Sequence, residues 1–278
     1  MSRLLSHNLF VRTLAGAVLA LIVVGLTFFS PFTMLALLAA ICIGAMLEFY
    51  KLARLTGAQP LDTYPAFLGT LLVVMGFFAR LHKIPFSSFL IFLPAVFLIF
   101  AVELFRKKEN PFANIGWSLT GLIYIAVPLA LLAYLPVRAA TGGLISYRPW
   151  MFLSPVFIVW ANDIGGYLTG VAFGKHKMCP RISPLKSWEG FAGGIVFAVA
   201  AGLLMSHIQH VPLWFWGGVG LLIALCSVAG DLIESMLKRS AGVKDSGNVI
   251  PGHGGFLDRF DALIFSAPFV FIYIALFA

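Results

Sequence analysis

Apolar segments long enough to cross a membrane follow one another along almost the whole chain. A helix needs about 20 mostly apolar residues to span the hydrocarbon core of a bilayer. Because lipid offers no hydrogen-bond partners, such segments must satisfy their backbone groups internally, as helices do. The predicted spans are residues 10–29, 32–50, 64–81, 84–104, 115–135, 150–171, 189–208, 212–235 and 260–277.

The composition agrees with a membrane protein. Hydrophobic residues make up 60% of the 278 positions and charged residues only 11%, whereas a soluble domain carries about 25% charged residues. We therefore predict an all-α polytopic membrane protein, a bundle of about nine transmembrane helices with a polar cavity that faces the cytoplasm. The break at Ser30-Pro31 is the weakest boundary, so eight spans are the alternative. Residues 1–150 are predicted to form a transmembrane scaffold, and residues 151–278 a catalytic transmembrane region with cytoplasmic loops.

The basic residues predict the orientation, because cytoplasmic loops carry an excess of Lys and Arg. With a cytoplasmic N-terminus, nine spans leave only Arg80, Lys83, Arg138 and Arg148 outside, of 19 basic residues. The net charge of +8 is then attributed to the membrane topology and to attraction to anionic lipid head groups. We therefore expect no nucleic-acid partner. The 15 basic residues placed inside are Arg3, Arg12, Lys51, Arg54, Arg106, Lys107, Lys108, Lys175, Lys177, Arg181, Lys186, Lys238, Arg239, Lys244 and Arg259.

Polar residues gather in residues 230–261, which hold five carboxylates and four basic side chains between two apolar runs. Asp258 and Asp261 are three residues apart and would share one face of a helix that begins near Leu257. Positions i, i+3, i+4 and i+7 of a helix form a single stripe. Here that stripe is predicted to consist of Asp231, Glu234, Ser235 and Lys238.

A glycine-rich loop joins these two predicted helices and contains Lys244, Asp245 and His253. Glycine allows the backbone to approach a ligand closely. Carboxylates at membrane depth are costly, and carboxylate and phosphate oxygens are the ligands that Mg²⁺ prefers. The pattern therefore favours a metal-assisted phosphoryl or nucleotidyl transfer site. The alternative is a structural ion-pair network in which Lys238, Arg239 and Arg259 balance the acids.

A second polar cluster lies between residues 160 and 190. Asp163 falls within an apolar span, and Ser183, Lys186 and Ser187 precede a predicted helix. Free backbone N–H groups at a helix N-terminus favour anions, so this cluster suits a phosphate chain. In the first half of the chain, by contrast, Glu48 is interpreted as an ordinary interfacial residue close to Lys51 and Arg54.

These motifs resemble those of the phosphatidate cytidylyltransferase family, also called CDP-diacylglycerol synthases. The resemblance is carried by Lys-Asp-Ser-Gly at 244–247, by Pro-Gly-His-Gly-Gly-Phe-Leu-Asp-Arg-Phe-Asp at 251–261, and by the upstream segments 163–167 and 182–190. It implies that CTP and phosphatidic acid are converted to CDP-diacylglycerol and pyrophosphate, with Mg²⁺ as cofactor. It further implies that Asp231 and Asp258 bind the metal, with Asp261 in the same acidic cluster, and it allows K⁺ to share the site.

The resemblance also implies roles for the other polar residues. Lys186, Ser187, Lys244 and Arg259 would bind the triphosphate, and Lys238 and Arg239 would meet the lipid phosphate. His253 would donate to a phosphate or organise the loop rather than act as a base. The catalytic candidates are Asp231, Asp258, Asp261, Lys238, Lys244, Asp245, His253 and Arg259. The substrate-binding candidates are Lys186, Ser187, Ser183, Asp163 and Arg239.

The expected partners are CTP or dCTP, phosphatidic acid and membrane lipids, and a homodimer is left open. The expected location is a bacterial inner membrane, with the active site on the cytoplasmic side. Two other classes compete with this interpretation. One is a related CTP-using membrane enzyme that acts on a polyprenol or an ether lipid. The other is an ion or phosphate transporter, in which the acids within the spans would line a path.

Overall fold

The computed structural model describes residues 2–140, 144–247, 249 and 254–277, with side chains from Thr13 onward. Eight helices in this part of the chain are long and apolar enough to cross a membrane, and a shorter apolar helical segment covers Thr13–Phe29. The prediction of an all-α polytopic membrane protein is therefore confirmed.

The helices follow the predicted spans closely. A 3₁₀ turn at Phe86–Ile91 leads into α4, and a π-helical turn at Leu122–Ala126 joins α5 to α6, so residues 111–134 are continuously helical. The helices are α1 Ser2–Phe29, α2 Pro31–Leu55, α3 Thr63–Arg80, α4 Phe92–Arg106, α5 Pro111–Gly121, α6 Val127–Tyr134, α7 Trp150–Phe173, α8 Trp188–Ile208, α9 Leu213–Ser240 and α10 Leu257–Phe277.

The predicted break at Ser30-Pro31 separates α1 from α2. Ser30 is extended, and its hydroxyl accepts a hydrogen bond from the backbone N–H of Phe32 at 3.2 Å. Pro31 begins α2, where its missing N–H costs no hydrogen bond. A serine cap followed by proline is a strong local start signal, and it separates two apolar runs that composition alone could merge.

One compact unit contains the described residues up to Pro149 together with Ser240–Phe260. Its core is formed largely by α2, α3, α5 and α6, where the buried Tyr50 donates its hydroxyl hydrogen to the carbonyl of Ser118 at 2.9 Å. A short antiparallel hairpin follows α6, with β1 at Val137–Ala139 and β2 at Ile145–Tyr147.

The second compact unit contains Trp150–Arg239 and the described residues from Asp261 onward. Its first two helices, α7 and α8, pack closely through glycines. A Cβ atom on Gly190 would lie 2.9 Å from the carbonyl oxygen of Gly166 and 3.3 Å from the Cα of Gly170. Only glycine fits there. Small residues at the contact commonly allow membrane helices to approach one another this closely.

A second antiparallel hairpin connects α7 to α8, with β3 at Lys177–Cys179 and β4 at Ser183–Ser187. The sequence predicts only a turn here, since strands of three to five residues are too short to show a period. The hairpin delivers Ser187 to the start of α8, as predicted. The Ser187 hydroxyl accepts a hydrogen bond from the N–H of Gly190 at 3.1 Å and caps the helix.

Candidate active site

An acidic cluster in the second unit is formed by Asp231 and Glu234 on α9 and Asp261 on α10. One carboxylate oxygen from each lies within 4.8 Å of the other two. The stripe predicted for α9 is present, because Ser235 donates to Asp231 Oδ1 at 3.2 Å and Lys238 forms an ion pair with the buried Glu234. Three carboxylates this close suit a hard divalent cation.

The two helices can bring these acids together because α9 has a glycine at position 230. A Cβ atom there would lie 2.7 Å from the Cβ of Phe265 and 3.1 Å from the carbonyl oxygen of Asp261. The backbone of α9 therefore packs directly on α10, next to Asp231. A larger residue would push the helices apart and separate the acids.

A lysine from the hairpin reaches the same cluster. Lys186 Nζ lies 2.5 Å from Asp231 Oδ2, and 25% of the lysine side chain and 41% of the aspartate side chain are exposed. Lys186 precedes the capping Ser187, so one short strand places both a cation and the N-terminus of α8 beside the acidic cluster. The sequence predicts Lys186 and Ser187 at a phosphate site and Asp231 as a metal ligand, but it does not predict that Lys186 and Asp231 pair.

A cavity of about 630 Å³ lies in the second unit between α7, β4, α8 and α9. Among the described residues, the Oδ1 atom of Asn162 and the hydroxyl of Ser227 are buried without a hydrogen-bond partner, and both residues line this cavity. Buried polar groups are nearly always satisfied, so these two atoms are suited to bind a ligand or a water molecule. Its other polar lining residues are Asp163, Tyr167, Lys177, Ser183, Lys186, Ser187 and Asp231.

Ser227 was missed by the sequence analysis, because a single serine within an apolar run carries no signal. Asn162 belongs to a motif that was singled out for its neighbour, Asp163. The exposed Asp163 accepts a long hydrogen bond from the Asn162 amide at 3.4 Å. The cavity thus brings together Asp163, Ser183, Lys186, Ser187 and Asp231 of the predicted site.

In the first unit, the Asp258 carboxylate is held by the loop between α9 and α10. Its Oδ2 atom accepts hydrogen bonds from the Ser246 N–H at 2.9 Å, the Ser246 hydroxyl at 2.9 Å and the Gly255 N–H at 2.8 Å. Gly254 has φ +82°, and a Cβ atom there would lie 2.5 Å from Asp258 Oδ2. The turn around this carboxylate therefore requires glycine.

Glu48 on α2 reaches the same loop, and its interpretation as an ordinary interfacial residue is wrong. The residue is 7% exposed, and it accepts hydrogen bonds from the N–H groups of Phe256 at 3.0 Å and Leu257 at 2.9 Å. The first N–H groups of a helix lack partners within the helix, and a carboxylate satisfies those at the start of α10. The sequence signal for this role was a glutamate inside an apolar run. It was overlooked because the nearby Lys51 and Arg54 are typical of the membrane interface.

Four other candidates lie on the loop between α9 and α10 or in the helix turns next to it. Lys244 and Asp245 are exposed on the loop between α9 and α10, and Arg259 is exposed in the first turn of α10. The Arg239 Nε donates to the carbonyl of Ile182 at 3.4 Å. His253 lies outside the described residues.

Comparison with known proteins places these features in a family. The family model described as "Cytidylyltransferase family" matches residues 10–277. A phosphatidate cytidylyltransferase of Bacillus subtilis strain 168 is 31% identical over 273 residues, which cover 96% of this chain and 98% of that protein. The chain belongs to the cytidylyltransferase family.

Two further relatives are more similar over a shorter region. A phosphatidate cytidylyltransferase of Brucella suis biovar 1 is 40% identical over 168 residues, covering 59% of this chain and 58% of that protein. One of Mycobacterium bovis is 38% identical over 158 residues, covering 55% of this chain and 51% of that protein.

Proposed function

We propose that this multi-pass membrane protein is a phosphatidate cytidylyltransferase of phospholipid biosynthesis, which converts CTP and phosphatidic acid to CDP-diacylglycerol and pyrophosphate. Its membership of the family and the names of its relatives support this activity. The observation that carries it structurally is the contact between Lys186 and Asp231 on the wall of a cavity lined by the capped start of α8. That arrangement joins an acidic cluster to a phosphate-binding helix end.

The acidic cluster fits Mg²⁺. Asp231, Glu234 and Asp261 offer the carboxylate oxygens that this ion prefers, within 4.8 Å of one another, and we propose that they hold it. When bound, Mg²⁺ would draw electron density from the substrate phosphates and stabilise the charge of the leaving group. Asp258 as a further metal ligand and K⁺ as a second ion stay predictions from the family resemblance.

The cations beside the cluster are placed to exchange partners. Lys186 and Lys238 are paired with Asp231 and Glu234. A lysine ammonium is a compact charge on a flexible stem, so each can turn from a carboxylate to a phosphate once a metal balances the acid. Ser187 and the N-terminus of α8 add hydrogen-bond donors that favour an anion, while Asn162 and Ser227 offer polar atoms deeper in the cavity.

In the reaction, a phosphate oxygen of phosphatidic acid forms a bond to the α-phosphorus of CTP, and the bond from that phosphorus to pyrophosphate breaks. A phosphate monoester has its second pKa near 6, so the attacking oxygen is already largely ionised at neutral pH. No protein group needs to remove a proton. The chain contributes by positioning the two anions and by offsetting their charge with lysines.

We also propose the side of the membrane on which the reaction takes place. The asymmetry of basic residues supports an active site on the cytoplasmic side of a bacterial inner membrane, where CTP is available. CTP or dCTP would serve as the nucleotide, and a homodimer is one form that the enzyme could take.

One assay tests the activity. Purified protein in detergent micelles is incubated with cytidine-labelled CTP, phosphatidic acid and Mg²⁺, and the label is expected in the lipid phase. Unlabelled dCTP added as competitor measures nucleotide preference. If no lipid-soluble cytidine forms, and reconstituted vesicles instead accumulate phosphate or an ion, the protein is a transporter and the proposal fails.

A further inference from the structure

The buried carboxylate of Glu48 holds the loop between α9 and α10 at two places. Its Oε1 atom accepts the N–H of Phe256 at 3.0 Å, and its Oε2 atom accepts the N–H of Leu257 at 2.9 Å and the hydroxyl of Ser246 at 3.0 Å. Ser246 lies within the loop, six residues after α9 ends at Ser240, whereas Phe256 and Leu257 lead into α10. A single side chain from α2 therefore ties Ser246, in the loop, to the start of α10.

The loop is shaped to fit this carboxylate. A Cβ atom on Gly247 would lie 2.5 Å from Glu48 Oε1, and Gly255 also packs on the Glu48 side chain. One turn earlier on α2, a Cβ atom on Gly44 would lie 2.5 Å from the ring of Phe256. Gly44 and Glu48 are four residues apart and share a helical face, so α2 offers a small residue and a carboxylate at the places where the loop needs them.

The hydroxyl of Ser246 links Glu48 to Asp258. Its oxygen lies 3.0 Å from Glu48 Oε2 and 2.9 Å from Asp258 Oδ2. A serine hydroxyl has one hydrogen to donate, so the two carboxylates share it. The N–H groups of Ser246 and Gly255, which also bind Asp258 Oδ2, belong to the segment that Glu48 fixes.

We infer that Glu48 is a positioning residue that sets the orientation of the Asp258 carboxylate by fixing Ser246 and the start of α10. The inference rests on the proposed function only in giving Asp258 a part in the reaction. Glu48 acts entirely through the loop, and it needs no contact with substrate or metal. Groups that orient a metal ligand typically affect metal affinity or activity by about 10- to 100-fold when they are changed.

The test compares Glu48→Gln with Glu103→Gln. Glu103 on α4 is also a buried glutamate of the first unit, 3% exposed, and it accepts hydrogen bonds from Arg106 at 2.6 Å and from Asn114 at 2.7 Å. Gln keeps the size of each side chain but turns one oxygen into a donor. At position 48 either orientation of the amide sets that donor against a donor of the loop. The control variant disturbs a buried acid without touching the loop.

Two measurements distinguish a residue that orients Asp258 from one that only stabilises the fold: the Mg²⁺ dependence of activity, and amide hydrogen exchange. Glu48→Gln is expected to raise the Mg²⁺ concentration for half-maximal activity and to lower kcat by about 10- to 100-fold, with KM for CTP changed less than about threefold. Without metal or substrate, it is expected to speed amide hydrogen exchange at Phe256 and Leu257. Glu103→Gln is expected to lower thermal stability while leaving both the Mg²⁺ dependence and this exchange unchanged.

Glu48→Asp serves where the glutamine variant folds poorly, because it keeps the charge and should restore part of the Mg²⁺ response. The inference is overturned if Glu48→Gln has the Mg²⁺ dependence and exchange of the parent protein, or if Glu103→Gln shifts them equally. The exchange measurement needs no catalysis. It therefore still decides the positioning role if the parent protein makes no CDP-diacylglycerol, in which case the proposed function fails separately.

Discussion

Asp231 and Glu234 of the second unit and Glu48 of the first unit meet different kinds of partner. Asp231 and Glu234 pair with the side chains of Lys186 and Lys238. In the first unit, the hydrogen-bond donors to Glu48 described above are two backbone N–H groups and a hydroxyl. A lysine can change partners during a reaction, whereas a backbone N–H stays where the fold puts it. The first arrangement suits groups that must respond to a ligand, and the second suits groups that must not move.

Asp231→Asn is the most severe test of the role that we give to the acids of the second unit. It removes a carboxylate that we assign to the metal and the partner of Lys186, so activity is expected to fall by about 10²- to 10³-fold, as when other electrostatic contacts to a transition state are lost. Lipid-soluble cytidine product is measured across a range of Mg²⁺ concentrations. The matched control is Ser235→Ala, which removes only the hydrogen bond to Asp231 at 3.2 Å. Activity of Asp231→Asn above about a tenth of the parent value would contradict the assignment.

Lys186→Ala tests whether the cations respond to the ligand. We expect KM for CTP to rise by about 10-fold, the equivalent of about 1.4 kcal/mol, because the lysine would no longer offset phosphate charge. Initial rates at varied CTP concentration measure this change. Lys175→Ala removes an exposed lysine just before the hairpin and should stay within about twofold of the parent. Equal effects of the two variants would show that Lys186 contributes only general positive charge.

Ser227→Ala removes a buried hydroxyl that meets no partner among the described residues. Removing a buried, unsatisfied hydroxyl is expected to raise stability by about 1 kcal/mol. If the hydroxyl contacts substrate, KM should rise at the same time by a few-fold. Thermal unfolding in detergent measures the change in stability, and initial rates at varied CTP concentration measure the change in KM. Thr169→Ala is the control, because its hydroxyl is satisfied by the carbonyl of Gly165 at 2.7 Å. A stability gain in both variants would show that the gain does not come from the missing hydrogen-bond partner of Ser227.

The smallest effect is expected at Asp62, an acid of the first unit that lies outside both of these arrangements. It pairs with Arg54 and caps α3 by accepting the N–H of Thr63 at 2.6 Å. Partial burial alone would raise the pKa of its carboxyl, but the Thr63 N–H and Arg54 together lower it below 3.8. Its contribution is therefore present above about pH 4 and is lost as pH falls through the lowered value. Asp62→Asn should cost about 0.5–1 kcal/mol at pH 7.

Unfolding curves of Asp62→Asn and the parent protein at pH 7 and at pH 3 measure that contribution. The difference between the two curves should be smaller at the lower pH, because the contribution of the charge declines as pH falls below the ordinary Asp pKa of about 3.9. A constant difference between pH 7 and pH 3 would mean that the capping hydrogen bond, rather than the charge, supplies the stability.

Much of the fold could be predicted from the sequence, because each transmembrane helix is specified locally. Apolar runs set the spans, and Ser30-Pro31 and Ser187 mark helix starts through contacts within three residues. The acidic stripe on α9 also depends only on helical spacing. The short hairpin before α8 was missed because its strands are too short to show alternation.

The supporting contacts of the site could not be predicted in the same way. Glu48 and Leu257 are separated by 209 positions, and nothing in the local sequence of α2 indicates that its glutamate satisfies the start of α10. Lys186 and Asp231 are each conspicuous, but their pairing depends on how β4 packs beside α9. Ser227 becomes visible only when a cavity is found beside it. In each case the missing information is a distance between elements.

The separation between Glu48 and its donors also bears on how the protein is made. Ser246, the first of these donors, is synthesised 198 residues after Glu48, so α2 must enter the membrane carrying an acid whose partners do not yet exist. The ribosome completes most of the spans before the turn around Asp258 can close. A chain that ends before residue 246 therefore lacks every one of these donors, and the acid on α2 stays without the hydrogen bonds that it makes in the finished fold.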